Sequence, residues 1–359
     1  MNSPILTIIS FLIIFTIVVV SHEFGHFLIA RLNGIKVVEF TIGMGPALFR
    51  KKGKHTEFVI RLLPFGGACI FEGEDGNIRE AEVDVADDTA GKNFNDAPVW
   101  GRIAAVLAGP VFNIILAYLL SLFMVWFSGA DLPVVRSIMD DYPAQEAGLE
   151  EGDVITAINH RKVYVWREVV LKSFLNHGEQ LEIEYERDGQ KFATVLNPKY
   201  DEVDQRFYIG FSGGSDYIKC NNLKVFKYSA VEVRYWLLAT VDSIKYMFGG
   251  HGKLDDLAGP VGVANVIDET IEETIPYGAM TVLLNMFNIA VLLSVNLGVV
   301  NLLPIPALDG GRLLFLIFEA VSGRKIPPEK EGFVHMIGFV LLMILMVVIL
   351  FNDITRFFR

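Results

Sequence analysis

Four stretches of this chain are long and apolar enough to cross a lipid bilayer, and nothing else in the sequence constrains its fold as strongly. A spanning helix needs about 20 mostly apolar residues. Ile5–Ala30, Trp100–Phe127, Ala279–Leu303 and Phe333–Phe351 all come close to that pattern. Of 359 residues, 52% are hydrophobic and 20% charged, with a mean hydropathy of +0.42. The apolar surplus therefore goes to lipid-facing surface rather than to one oversized core. The first stretch lacks a basic leader and a small-residue cleavage site, and it runs straight into His22, Glu23 and His26, so it reads as a retained helix rather than a signal peptide.

Charge decides the expected orientation. Arg31, Lys36, Arg50, Lys51, Lys52, Lys54, Arg61, Arg79 and Lys92 fall between the first two stretches, and Arg312, Arg324, Lys325 and Lys330 between the last two. No Lys or Arg precedes the first stretch, so the positive-inside bias puts both loops in the cytoplasm and both termini outside. Arg356 and Arg359 argue weakly the other way. The net charge of −11 offers no basic footprint for nucleic acid. Cys69 and Cys220 cannot build a disulfide scaffold or a Cys-based zinc ribbon, and on this topology they face opposite sides of the membrane. Any metal must use His and carboxylate.

The expected organisation is a first transmembrane helix over 1–31, a cytoplasmic-side β-region and loop over 32–97, and a second helix over 98–128. An extracytoplasmic α+β domain over 129–200 and a connecting region over 201–278 follow. A third helix with its motif covers 279–311, a cytoplasmic loop 312–332, and a fourth helix with its tail 333–359. In the outer domain, Val134–Ile138, Val154–Ile158, Leu181–Tyr185 and Phe192–Val195 predict strands, and Val165–Asn176 a helix. The run from Ala147 to Asp153, A-G-L-E-E-G-D, resembles the marker turn of a PDZ domain, and only one copy is visible. Lys224–Phe248 reads as an amphipathic helix that lies either on the membrane surface or against the outer domain.

His22-Glu23-Phe24-Gly25-His26 is an H-E-x-x-H motif on a predicted helix. Positions i and i+4 share a helix face, so two imidazoles can bind one ion while the intervening Glu reaches a water beside it. Three ionisable groups within five residues of an apolar helix are costly, at about 2.5–3.5 kcal/mol per charged side chain on insertion scales. Phe27 to Ala30 continue the apolar run beyond them, so the motif does not simply mark the helix end. A catalytic zinc takes three protein ligands and leaves a position open. Asp309, in the run Asn301 to Gly311, is the preferred third ligand, because the charge argument puts it at the same depth as the first motif. Pro304 and Pro306 break the helix there, which at membrane depth is tolerated where protein encloses it or a wet cavity is lined. His335 is a rival ligand, although a lone His beside Gly338 more often serves helix packing. Iron, cobalt or manganese also suit such donors.

The H-E-x-x-H helix, the N-x-x-P-x-P-x-L-D-G run from Asn301 to Gly310, and Gly109-Pro110-Val111-Phe112-Asn113 in the second helix flank one PDZ-like domain. Together they resemble the site-2 protease family of intramembrane zinc metalloproteases, in its bacterial RseP-like branch. The single PDZ-like domain departs from enteric relatives, which carry two. The resemblance implies zinc on His22, His26 and Asp309, Glu23 as general base, and Asn301 and Asn113 as substrate-positioning residues. It further implies a bacterial inner-membrane enzyme with its active site near the cytoplasmic side. Its substrates would be single-pass membrane proteins already cut by a site-1-type protease, such as anti-sigma factors, or signal-peptide remnants.

A transmembrane substrate must be unwound before attack, and extended backbone needs partners. Glu39–Gly45 and Glu57–Leu63 are β-rich, and Gly66 and Gly67 permit close backbone approach. This predicts a sheet that dips towards the metal and takes the substrate as an edge strand, or else a hairpin that merely covers the first helix. Two other functional classes compete. A non-catalytic adaptor has no use for Glu23, and a metal transporter needs further intramembrane carboxylates, for which Glu319 is the candidate.

Overall fold

Uninterrupted Ile, Leu, Val and Phe leave backbone hydrogen bonding within the segment as the stable solution, and the longest such runs are helical throughout. The structure, a computed structural model, describes residues 4–74, 91–204, 206–214, 217–250, 252 and 257–357. Arg79, His251 and Arg359 lie outside the described residues. In chain order the elements begin with α1 (Pro4–Leu32), β1 (Val37–Lys52), β2 (Glu57–Phe71), α2 (Val99–Ser128), β3 (Ala130–Asp131) and β4 (Val135–Ile138). Next come α3 (Pro143–Glu146), β5 (Val154–Ile158), β6 (Arg161–Lys162), α4 (Trp166–Phe174), β7 (Leu181–Arg187) and β8 (Gln190–Leu196). The short strands β9 (Lys199–Asp201), β10 (Arg206–Tyr208), β11 (Phe211–Gly213) and β12 (Tyr217–Ile218) precede α5 (Leu223–Phe248). The chain ends with α6 (Pro260–Thr274), α7 (Ala279–Asn301), α8 (Asp309–Ser322) and α9 (Pro328–Phe357).

Among the described residues, α1, α2, α7 and α9 are the helices long and apolar enough to span a membrane. Much of their surface stays apolar and outward: Phe339, Leu341 and Val347 of α9 are 58%, 62% and 60% exposed, which suits a lipid solvent and not water. The chain divides into two compact units, Met1–Leu120 with His251–Arg359, and Ser121–Gly250.

In the first unit, β1 and β2 form an antiparallel hairpin with an unusual register. Thr41 faces both Val59 and Ala68, because β2 doubles back and flanks the first half of β1 on both sides. Its returning part, Gly67–Phe71, pairs with Val37–Ile42 alone. Ala30, Ile35, Val37, Phe71, Phe94, Ala105, Val106, Leu313 and Leu316 share one buried cluster, which ties the end of α1, the hairpin, α2 and α8 together. A second cluster of Phe11, Ile14, Ile267, Ile271, Met286 and Ile289 joins α1, α6 and α7.

Two features of this unit differ from the sequence reading. The stretch taken as a loop over 312–332 starts inside a helix, α8, which buries Leu313 and Leu316. With 14 residues it is too short to register as a span. Helix α6 falls in the segment read only as a connection. Pro260 stands in its first turn. The buried Asp353 carboxylate accepts the Gly259 and Gly262 N–H groups at 3.2 and 2.9 Å, satisfying donors at the start of the helix.

In the second unit, β6-β5-β7-β8 form a four-stranded antiparallel sheet over a core of Val135, Leu149, Ile155, Val169, Ile183 and Leu196. The A-G-L-E-E-G-D turn is pinned by Asp153, which takes the Glu150 N–H and two hydrogen bonds from Arg187. The strands and α4 arrive where the PDZ-like reading expects them. The unit does not stop near residue 200, however, because β11 returns to pair with β4. Helix α5 is docked on this unit through ion pairs Arg167–Glu232 and Arg234–Glu168 with α4, which favours the docked over the membrane-surface reading. Cys69 and Cys220 are both free thiols.

Candidate metal centre

Glycine sets how closely α1 and α2 approach. A β-carbon at Gly25 would meet the Ala108 carbonyl carbon at 2.9 Å, so the H-E-F-G-H sequence carries its own crossing point. On the facing turn of α2, a β-carbon at Gly109 would collide with His26 Nε2 and lie 2.8 Å from His22 Cε1. The two imidazoles fill the groove that Gly109 leaves.

Asp309 arrives from α8. Asn301 ends α7, and Leu302–Leu308 fold back in a tight turn with hydrogen bonds Ile305 N to Leu303 O at 2.7 Å and Leu308 N to Ile305 O at 3.1 Å. Ala307 in this turn has a φ of 77°, sparsely populated by residues with a β-carbon. His335 Nδ1 accepts its N–H at 2.9 Å. His335 is thus a helix-packing residue that props the turn, not a rival ligand. Side chains at Gly310 and Gly311 would strike the carbonyls of Leu302 and Ile305, which explains the glycine pair after the aspartate.

The result is a convergence of three donors. His22 Nε2 and His26 Nε2 stand 3.1 and 3.4 Å from Asp309 Oδ2 and 3.2 Å from each other. Among the described residues this is the group of His, Cys, Asp and Glu able to hold a metal ion, its ligand atoms lying within 4.8 Å of one another. Asp309 Oδ2 is buried, and it faces the same point as the two imidazole Nε2 atoms. Two imidazoles and one carboxylate fit zinc with a position left open. His26 Nδ1 faces the Ala105 carbonyl at 2.9 Å, which holds the ring with Nε2 towards the site.

Glu23 lies on the adjoining face of α1, against the returning strand of the hairpin: a β-carbon at Gly67 would be 2.8 Å from Glu23 Cγ and 3.0 Å from the Thr41 carbonyl. The Cys69 N–H faces the Glu23 carboxylate. Gly66, with a φ of 74°, lies where β2 turns back and packs beside Met44, and Gly67 follows it against Glu23. Further along the hairpin, burial alone would raise the Glu39 carboxyl. Hydrogen bonds from Thr41 and Arg61 outweigh burial and hold it below the ordinary carboxylate range.

The two asparagines divide. Asn301 Nδ2 is 3.3 Å from His22 Nε2, on the side of the converging donors. Asn113 is 0% exposed, with Nδ2 3.3 Å from His22 Nδ1, behind the ring. Glu319, the carboxylate a transporter reading would need, is paired with Arg102. The roles of Gly109 and the Ala105 carbonyl escape sequence reasoning: Gly109 sits one turn from Asn113 on the same face of α2, a signal that could have been used, whereas a backbone carbonyl leaves none.

The sequence matches peptidase family M50 over residues 10–345. It is 32% identical to the zinc metalloprotease RasP of Shouchella clausii, with 98% of this chain and 99% of that protein covered. Identity to the regulator of sigma-W protease RasP of Bacillus subtilis is 33%, over 98% of this chain and 99% of that one. For the zinc metalloprotease RasP of Geobacillus kaustophilus it is 34%, over 98% of each. Among solved structures, the PDZ domain of an SdrC-like protein from Listeria monocytogenes aligns with 24% of this chain and 88% of its own, at 22% identity and a TM-score of 0.21, a likeness too slight to carry an argument.

Proposed function

The chain belongs to peptidase family M50 and is a zinc metalloprotease, and from that premise we propose that it cuts peptide bonds within transmembrane segments, with zinc held by His22, His26 and Asp309. The observation that carries this reading is the meeting of two imidazole nitrogens from an apolar helix with a buried, unpartnered carboxylate oxygen from α8. When bound, zinc supplies Lewis-acid chemistry, polarising a peptide carbonyl and bringing the pKa of a water down to about 7.

The chain's own residues do the rest. Glu23, beside the imidazole pair, takes a proton from the attacking water and returns it to the leaving amine. The water attacks directly, without a covalent intermediate. Asn301 Nδ2 stands 3.3 Å from His22 Nε2, beside the converging ligands, and serves the substrate carbonyl or backbone. A helix presents no free backbone groups to attack, so the scissile segment must be extended. Gly67–Phe71 offers an edge with one neighbouring strand. A substrate strand added there runs past Glu23, whose side chain packs where Gly67 has none.

The substrates we infer are single-pass membrane proteins already shortened by another protease, anti-sigma factors among them, and signal-peptide remnants. A relative named as a regulator of sigma-W supports the first class. The proposed setting is the bacterial inner membrane, with the hairpin on the cytoplasmic side and the PDZ-like unit outside, as the Lys and Arg distribution favours.

The test is cleavage of a single-pass model substrate by the purified protein, with zinc content measured in parallel. Glu23→Gln is expected to keep one zinc per chain and lose cleavage by about 10²–10⁴-fold. His22→Phe and Asp309→Ala are expected to lose both. Cleavage by Glu23→Gln at the wild-type rate would reject the mechanism, and full zinc occupancy in Asp309→Ala would reject the ligand set.

A further inference from the structure

We propose that Asn113 is a positioning residue for His22: its side-chain carbonyl accepts the Nδ1 hydrogen of that imidazole and thereby keeps Nε2 free for zinc. The inference rests on the reading of His22 as a ligand and deepens it.

A neutral imidazole carries one N–H and one lone pair. The nitrogen of His22 turned towards Asp309 and His26 is Nε2. A lone pair there requires the hydrogen on Nδ1, and in a buried site that hydrogen requires an acceptor. Asn113 stands in that place. Its amide is 3.3 Å from His22 Nδ1, its own Oδ1 is buried without a partner, and the residue is 0% exposed. Its backbone is braced as well, since the Asn113 carbonyl accepts the Ser294 hydroxyl of α7 at 2.8 Å.

The two ends of an amide have nearly the same shape, and a half-turn of the last side-chain torsion exchanges them. With Oδ1 towards His22, the orphaned oxygen gains the Nδ1 hydrogen and Nε2 is left as a ligand. With Nδ2 towards His22, the amide donates to Nδ1, the ring hydrogen moves to Nε2, and the ligating lone pair is lost. The orientation of one amide therefore selects which tautomer His22 adopts. His26 has no such freedom. Its Nδ1 faces the fixed Ala105 carbonyl, which accepts only. One ligand of the pair is thus set permanently by backbone and the other by a side chain that can turn.

The test is the zinc dissociation constant of the full chain purified in detergent, measured by competition with a chelator, together with the KM and kcat of the zinc-loaded protein. Asn113→Leu keeps the shape and removes the acceptor, and is expected to weaken zinc binding by about 10–100-fold. Asn113→Asp offers an acceptor oxygen at either end and is expected to restore wild-type affinity or better. An Asn113→Leu protein with wild-type zinc affinity and a raised KM would overturn the proposal in favour of substrate positioning. Equal weakening in both variants would reduce the residue to packing. His22→Phe is the control for the underlying reading: if it too kept zinc, the ligand assignment itself would fall.

Discussion

Gly109 offers the sharpest quantitative test of how the metal centre is built, because the change is one methyl group and the structure says where it goes. In Gly109→Ala the new β-carbon lies 2.8 Å from His22 Cε1, where ordinary contact begins at 3.4 Å, so that ring alone must retreat by about 0.6 Å, and the clash with His26 Nε2 is tighter still. Zinc sites tolerate about 0.2 Å in their ligand distances. The displacement exceeds that tolerance, so the site, more than the fold, absorbs the strain. Overpacking a tight interior costs about 1–3 kcal/mol, and taken from zinc binding this is a rise in dissociation constant of roughly 5- to 150-fold. Helix α2 itself is not harmed, since alanine is favoured over glycine in a helix interior by about 0.8–1 kcal/mol. The expected result is therefore a protein that melts at or above the wild-type temperature in excess chelator, yet holds zinc more weakly in a competition titration. One zinc per chain at wild-type affinity would refute the argument, because it would mean that α1 and α2 separate freely and that Gly109 does not set the ligand groove.

Two further outcomes test the hairpin. Gly67→Val places side-chain carbon against Glu23 and the Thr41 carbonyl; zinc content is expected to stay at the wild-type level while cleavage of a model substrate falls by about 10²-fold, and an unchanged rate would remove β2 from the active site. Glu39 makes stability pH-dependent. Its folded pKa lies below the unfolded value of about 4.3, so its contribution is fully present above that pH and is lost as pH falls through the lower folded value. Melting temperature followed from pH 6 downwards is expected to drop more steeply for wild type than for Glu39→Gln, and parallel curves would show that Thr41 and Arg61 stabilise the charged form negligibly.

How much was legible beforehand varies by element, for physical reasons. The four apolar spans announce themselves because lipid demands length and apolarity from each one independently. His22, Glu23 and His26 are readable because i and i+4 on a helix share a face whatever surrounds them. Asp309 could be singled out by depth and by the prolines before it. Helix α8 was hidden because it is short, and α6 because its apolar residues Ile267 and Ile271 only make sense against Phe11 and Ile14. The docking of α5 was undecidable from periodicity, since an amphipathic face suits a membrane or a neighbouring domain equally. Its ion pairs with α4 decide it.

From the sequence alone follow those properties that a local segment carries: which stretches meet lipid, which helix holds two imidazoles and a carboxylate, and where the chain must break. Tertiary structure decided what depends on separate segments meeting. Asp309 reaches His22 across 287 residues only because Leu302–Leu308 fold back over two glycines. Asn113 comes within 3.3 Å of His22 Nδ1 because Gly25 and Gly109 let two helices touch. No local pattern encodes such distances, since they are fixed by which side chains are absent from the partner helix.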